Sequence, residues 1–405
     1  MIRRPTRLRV AQYASVVILF NIVDKLFGSV YVARLADRGL TPIEIGVLIS
    51  IGSILLTVLD YPSGNVADVF GRKKIGGIGF IVWGFGILLW GIADSMPLFV
   101  LAIACWALGI SLISGTPQAW FVDEMKKADQ AERLRSIMPL VRTTSLVIGA
   151  VAAWATSLMV QRGLNIPLVV GGLVSVGTGV AMLVLLPENH GERKWSVKEA
   201  IWRNTRQLIS HPVFRLLLLK VAVSAIAFHI FIMAWQLYAI QVIQLPKTML
   251  GFVLAGLILL LATGNALSAL LMKYLTPVAV SFGGLIGVFA GMVTIAYWPT
   301  LWGFVLGVIL LELGLGLEGG SSDVWFHELI PSERRASFVS ALSSAEAFVG
   351  IIMPTASGLI IQAGGFRPVW LTGAITSLLA AALVVIIARL SSTRVEAANA
   401  TFCTD

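Results

Sequence analysis

The stretch "GNVADVFGRKK", residues 64–74, lies between two long apolar runs. It gathers Gly64, Asp68, Gly71 and the three cations Arg72, Lys73 and Lys74 into eleven positions. Such a polar knot has no place inside a soluble core. The rest of the chain explains it. Of the 405 residues, 57% are hydrophobic and only 13% are charged. A soluble domain covers its surface with roughly a quarter charged residues. The mean hydropathy is +0.89. Side chains this apolar fit lipid as their solvent, and the knot reads as a loop joining two membrane-crossing helices.

A crossing helix takes ~20 mostly apolar residues. Twelve segments qualify: 10–35, 42–67, 73–93, 97–124, 134–160, 165–186, 213–240, 247–272, 277–296, 299–327, 336–361 and 367–389. They are called spans 1 to 12 here. Most junctions are short and rich in Pro and Gly, such as "DRGLTP", "ADSMP" and "AGGFRP". One is longer, "PENHGERKWSVKEAIWRNTRQLISHP" at 187–212, and it divides the spans six and six. The expected organisation is a first bundle over 1–186, a linker over 187–212, and a second bundle with a short tail over 213–405. Within the linker, Ser196 and Glu199 have capping-box spacing, and Val197, Ile201 and Leu208 recur at roughly helical intervals. That pattern predicts a short amphipathic helix on the membrane surface.

The net charge of +9 is a matter of placement. With an even number of spans, both termini and the linker share one side. That side collects Arg3, Arg4, Arg7, Arg9, the 72–74 cluster, Lys126, Lys127, Arg133, Arg135, the linker cations, Lys273, Arg334, Arg335, Arg389 and Arg394. The other side has Arg34, Arg38, Arg162, Lys247 and Arg367. The asymmetry puts both termini in the cytoplasm and requires no nucleic-acid partner. The basic start "MIRRPTRLR" precedes an apolar run without a small-residue cleavage site, so it reads as a retained first helix. Cys105 and Cys403 lie far apart and suggest neither a disulfide framework nor a metal site.

The halves echo each other about 200 residues apart. Gly64-Asn65 recurs as Gly264-Asn265, "ERLRS" at 132–136 as "ERRAS" at 333–337, and "WFVDE" at 120–124 loosely as "WFHEL" at 325–329. Repeats of this kind place a pathway at their interface.

The 64–74 loop resembles the signature of the major facilitator superfamily: a glycine, an aspartate four residues on, a glycine three further, then Arg and basic residues. Gly64, Asp68, Gly71, Arg72, Lys73 and Lys74 fit that pattern, and the preceding "YPSG" resembles drug-exporter-like members. With the six-six division, the resemblance covers essentially the whole chain. It implies an all-α membrane protein of twelve transmembrane helices in two pseudo-symmetric six-helix bundles, working as one chain. It also implies that this loop latches the cytoplasmic gate, with Arg72 pairing an acid at the end of span 4, where Asp123 stands. In the second copy Ser268 replaces the aspartate, and Lys273 with Glu328 would make a weaker gate. Basic residues alone would serve as a topology anchor, but that reading leaves Asp68 and the glycines unexplained.

Ionisable side chains at membrane depth are costly and default to function. On span 1, Asn21, Asp24, Gly28 and Tyr31 share a face. Asp24 reads as a proton or cation site, against a buried structural ion pair. Lys25 points about 100° round the helix, to neutralise a neighbour or touch substrate. Span 10 carries Glu312, Glu318 and Asp323; Glu312 is the deepest, and Glu318 faces either the pathway or a neighbouring helix. Glu346 on span 11 and Arg142 on span 5 are cavity candidates, and Arg142 suits an anionic group as well as a structural pair. His229, Met233 and Gln236 form a stripe on span 7, with His229 either proton-coupled or a packing residue. Lys220 reads as a snorkelling lysine. Ser111, Ser114 and Gln118 on span 4 offer neutral hydrogen bonds to a ligand. Asp60 supports the latch.

Two departures from the resemblance bear on energy coupling. Proton-coupled exporters carry an arginine four residues before a glycine in span 4; here Cys105 precedes Gly109. The Gly-Pro-x-x-Gly-Gly run of antiporters is missing from span 5, with a partial echo around Pro354. No GxxxxGK[ST], HExxH or GxSxG motif occurs, which opposes ATP drive and enzymatic function. The expectation is therefore a secondary transporter in the cell (inner or plasma) membrane. It would move a small organic or amphipathic solute by alternating access, as proton-driven efflux, with no cofactor and no metal. Uptake or facilitated passage of an organic anion, and lipid translocation on the same fold, are the alternatives.

Overall fold

Where lipid offers no hydrogen-bond partner, an apolar run must satisfy its backbone internally, so each becomes a helix. The computed structural model describes residues 4–190, 212–330 and 335–402. In chain order the helices are α1 (Arg4–Gly28), α2 (Tyr31–Asp37), α3 (Pro42–Phe70), α4 (Arg72–Ile92), α5 (Met96–Ile113), α6 (Thr116–Lys127), α7 (Leu134–Val160) and α8 (Asn165–Leu185). They continue with α9 (Pro212–Gln241), α10 (Leu250–Leu271), α11 (Pro277–Tyr297), α12 (Leu301–Leu329), α13 (Arg335–Gly364) and α14 (Phe366–Phe402). Twelve stretches of the described residues are long and apolar enough to cross a membrane. The amphipathic helix expected in the linker falls on 191–211, outside the described residues.

Two spans are broken where one continuous helix was expected. Span 1 divides into α1 and α2 at Ser29-Val30, where the Ser29 hydroxyl donates to the Lys25 carbonyl at 2.6 Å. Span 4 divides into α5 and α6 at Ser114-Gly115. Gly115 has φ +69°, and Pro117 opens the next helix. A left-handed residue cannot continue an α-helix, and glycine adopts it without a Cβ penalty. Helix starts carry caps: Thr41 and Glu44 form a reciprocal capping box on α3, and Thr300 accepts from Gly303 N on α12.

The chain divides into two compact units. The first contains α1 to α8 together with Leu245–Ile258, the approach to α10 and its first turns. Its core holds the fully buried Phe80, Trp83, Trp90, Phe99, Trp120 and Phe121. Helix α4 packs on α5 and α8. A Cβ at Gly84 would lie 2.6 Å from the Gly172 carbonyl, so this approach requires glycine. The first turns of α10 pack on α7 in the same way. A Cβ at Gly251 would lie 2.2 Å from the Ala153 carbonyl, and Phe252 N donates to Ser157 Oγ at 3.0 Å. Lys247 pairs with Asp37.

The second unit contains α9, α10 from Leu259, and α11 to α14. Its core includes Phe214, Leu217, Leu285, Trp325, Phe338 and Val384. Helix α11 packs on α12 and α14, with Gly284 opposite the Gly314 carbonyl at 2.7 Å from an added Cβ.

Candidate functional site

The 64–74 loop is the end of α3, the residue Gly71, and the start of α4. Gly71 has φ +103° and turns the chain sharply. That turn lets Arg72 reach back and across. Its Nε and Nη2 both lie 3.0 Å from Asp68 Oδ1. Its Nη1 donates to the Ala119 carbonyl at 3.0 Å and pairs with Asp123 on α6. The pair between Arg72 and Asp123 is the one the sequence motif implies. A guanidinium fork can hold both acids at once, where an ammonium would choose one.

A third carboxylate completes the loop, and sequence reasoning did not single it out. Glu188, just past α8, accepts from Lys73 N at 2.9 Å and Lys74 N at 3.2 Å. It occupies the positive N-terminal end of α4, where a helix favours an anion. A Cβ on Gly71 would lie 2.5 Å from Glu188 Cδ, so this glycine clears space for the carboxylate. Arg72 N donates to the Asn189 carbonyl at 3.0 Å, and Asn189 Nδ2 donates to the Trp120 carbonyl at 3.1 Å. Trp120 Nε1 returns a bond to the Pro187 carbonyl at 2.9 Å. Glu124 joins through Arg9 at 3.2 Å and Lys127 at 3.1 Å. Glu188 stands over a hundred positions from its partners, so no local spacing marks it.

The first unit has a hollow of about 580 Å³ at the break in span 4. Asn21, Ser114, Gln118 and Arg142 line it, with Tyr13, Phe20 and Phe80 as apolar walls. Asn21 Nδ2 donates to Ser145 Oγ at 3.2 Å. Arg142 has no ion-pair partner among the described residues. The other span 1 candidates do not line this hollow. Asp24 Oδ2 accepts from Lys25 Nζ at 2.6 Å. The flexible lysine stem bends back to the adjacent residue despite the angle between them. That stem also lies on Gly149, whose added Cβ would be 3.2 Å from Lys25 Cγ. Tyr31 stacks on Phe27 with centroids 5.1 Å apart. Ser111 is buried and bonds its own helix at Leu108.

The second unit has a hollow of about 360 Å³, lined by Glu318, Asp323, His327, Glu346, Ser224 and Ser343 among apolar residues. Glu346 is among the residues lining this hollow within the second unit. Lys220 corrects its expectation. It is 0% exposed and does not snorkel. Its Nζ pairs with Glu318 and donates to Ser322 Oγ at 2.8 Å. Glu318 thus faces a neighbouring helix and the hollow together. Met233 and Gln236 are 0% exposed and outside both hollow linings, because their stripe turns into the packed interior. His229 Nδ1 lies 2.9 Å from the Ala225 carbonyl, and its ring fills the space beside Gly350. Glu312 is buried in α12 and outside both linings. Lys273 and Glu328 are exposed, and no ion pair joins them among the described residues. Asp60 is also exposed.

Twelve helices long and apolar enough to cross a membrane, a basic loop between two of them, and hollows lined in part by polar side chains define a polytopic membrane protein. The chain belongs to the Major Facilitator Superfamily, whose profile matches residues 13–350. It is 25% identical over 240 residues to YxaM of Bacillus subtilis (strain 168), described as an uncharacterized MFS-type transporter. That match spans 57% of this chain and 58% of YxaM, under two thirds of the relative's length. Among solved structures, it resembles the nucleoside transporter NupG with a TM-score of 0.76 at 16% identity, over 94% of this chain and 98% of that one. A bacterial homologue of the human lysosomal transporter Spinster gives 0.76 at 14% identity, over 96% and 98%. A bacterial homologue of the iron transporter ferroportin gives 0.76 at 17% identity, over 95% and 99%. At these identities the likeness establishes the fold.

Proposed function

We propose that this protein is a secondary active transporter that exports a small organic or amphipathic solute across the cell membrane by alternating access, in exchange for protons. The observation that carries this reading is the pair of hollows, one in each unit, each lined by ionisable side chains as well as apolar ones. Ionisable groups at membrane depth are retained for substrate or ion handling. The cation asymmetry supports cytoplasmic termini, which puts the Arg72 loop at the cytoplasmic mouth as a latch. The "YPSG" stretch supports a drug-exporter-like subtype. Asp24 and Glu312 are the proposed proton carriers, acting from α1 and α12 outside the hollow linings themselves.

The test is transport in proteoliposomes under an imposed pH gradient. Exchange drives solute toward the acidic side while protons leave it; symport drives solute toward the alkaline side. Solute movement that ignores the gradient overturns proton coupling. A second reading, passage of an organic anion, is favoured by Arg142, which lines the first hollow without an acidic partner among the described residues. Under that reading Arg142→Gln abolishes anion transport and spares a cationic solute.

A further inference from the structure

The corner where Lys220 meets α12 is built to hold an ammonium. The Lys220 side chain is wholly buried. Its Nζ pairs with Glu318 and lies 5.2 Å from the centre of the Phe326 ring. An aromatic face and a carboxylate are the two groups that together recognise an organic cation. The polar bonds are arranged in one direction. Ser322 Oγ donates its only proton to Glu318 Oε1 at 2.8 Å and accepts from Lys220 at 2.8 Å. Ser281 Oγ, 3.1 Å away, must therefore donate to Ser322. Glu318 Oε1 thus accepts from both Lys220 and Ser322, and these bonds hold the carboxylate in place.

Glu318 is also on the wall of the 360 Å³ hollow, beside Asp323 and Glu346. Asp323 and Glu346 are exposed there and have no ion-pair partner among the described residues. In formal charge, with the His327 imidazole left uncounted, three carboxylates against the one ammonium of Lys220 leave a surplus of two negative charges. Phe228, Phe326 and Phe338 supply apolar wall. The hollow thus offers negative charge in excess of what the chain itself pairs, beside an apolar wall.

We propose that this hollow binds a solute carrying an ammonium and an aromatic or aliphatic body, with Glu318 as the binding carboxylate and Lys220 as its tethered competitor. The solute's ammonium takes Glu318 from Lys220, Asp323 and Glu346 offset the added charge, and the phenyl rings hold the body. Lys220 keeps the carboxylate neutralised when the hollow is empty, which avoids an unpaired buried charge. The proposal deepens the transport reading above and rests on it for the class of solute carried.

The test is equilibrium binding to the full-length protein in lipid nanodiscs with no ion gradient. Calorimetric titrations use phenethylammonium, the neutral phenethyl alcohol and the anion phenylpropionate. Phenethylammonium should bind saturably and the other two should not. Glu318→Gln should weaken it tenfold or more, roughly the cost of losing a charged partner. Asp323→Asn and Glu346→Gln anchor nothing and should each weaken it roughly two- to fivefold. Lys220→Met should tighten it. If Glu318→Gln does not fold, the two exposed variants decide. Absence of ammonium binding, preference for the anion, or affinities unmoved by the carboxylate variants would overturn the site. Ammonium binding in a protein whose transport ignores a pH gradient keeps this site and overturns proton exchange; gradient-driven transport without ammonium binding does the reverse.

Discussion

Arg72 at the start of α4 holds the carboxylate of Asp123 on α6, a residue fifty-one positions further along the chain. The same guanidinium holds Asp68, one turn before it. Three segments of the first unit are thereby tied at one point. Arg72→Met should cost about 1–3 kcal/mol, the range for charge-assisted bonds in partly buried settings. Arg72→Lys should recover only part of it, since an ammonium lacks the fork. Thermal unfolding of the purified variants checks both. Cysteine labelling on the side that carries the 64–74 loop should rise in Arg72→Met and Asp123→Asn; unchanged labelling would reduce the cluster to a topology anchor.

Gly71 and Glu188 should be energetically coupled. Gly71→Ala meets two penalties, a left-handed backbone and a Cβ 2.5 Å from the Glu188 carboxylate carbon. The first alone is about 1–3 kcal/mol, the range for a residue held in a sparsely populated backbone region. Glu188→Ala removes the anion from the end of α4 at a cost of about 0.3–1 kcal/mol. The double variant should be less destabilised than the sum of the two, because the clash disappears with the carboxylate. Additive losses in a double-mutant cycle would mean the carboxylate moves aside freely.

Gly251 sets how closely α10 lies on α7. A side chain there meets the Ala153 carbonyl and the Ser157 backbone, neither of which can rotate away. Gly251→Val should destabilise by about 1–3 kcal/mol, as overpacking does. The exposed pair of Lys247 and Asp37 nearby should contribute no more than about 1 kcal/mol. A Gly251→Val protein that melts with the wild type would show that this seam opens without cost.

Asp24 and Lys25 form their ion pair within one turn of α1. If Asp24 is the proton carrier, Asp24→Asn loses response to a pH gradient, and adding Lys25→Met does not restore it. If Asp24 only balances Lys25, the double variant regains gradient-driven transport. Proteoliposome flux under opposite gradients separates the two.

Much of this protein is legible in its sequence. Hydropathy specifies twelve crossings because lipid imposes a length and a composition on each, and both are written residue by residue along the chain. The loop motif likewise names Asp68, Gly71 and Arg72, which are neighbours in sequence and in space. Asp123 followed from the family resemblance. Tertiary packing alone decided the rest. Lys220 looked like a lysine near a helix start, yet Glu318 and Ser322 lie a hundred positions away, and only folding brings them to it. Met233 and Gln236 share a stripe that reads as cavity lining, but which face of a helix turns inward depends on its neighbours. Glu188 finds its site in backbone amides, which every residue possesses and no sequence pattern can point to. Solvation acts locally, so composition records it; pairing of charges acts across the fold, so it waits for the chain to close.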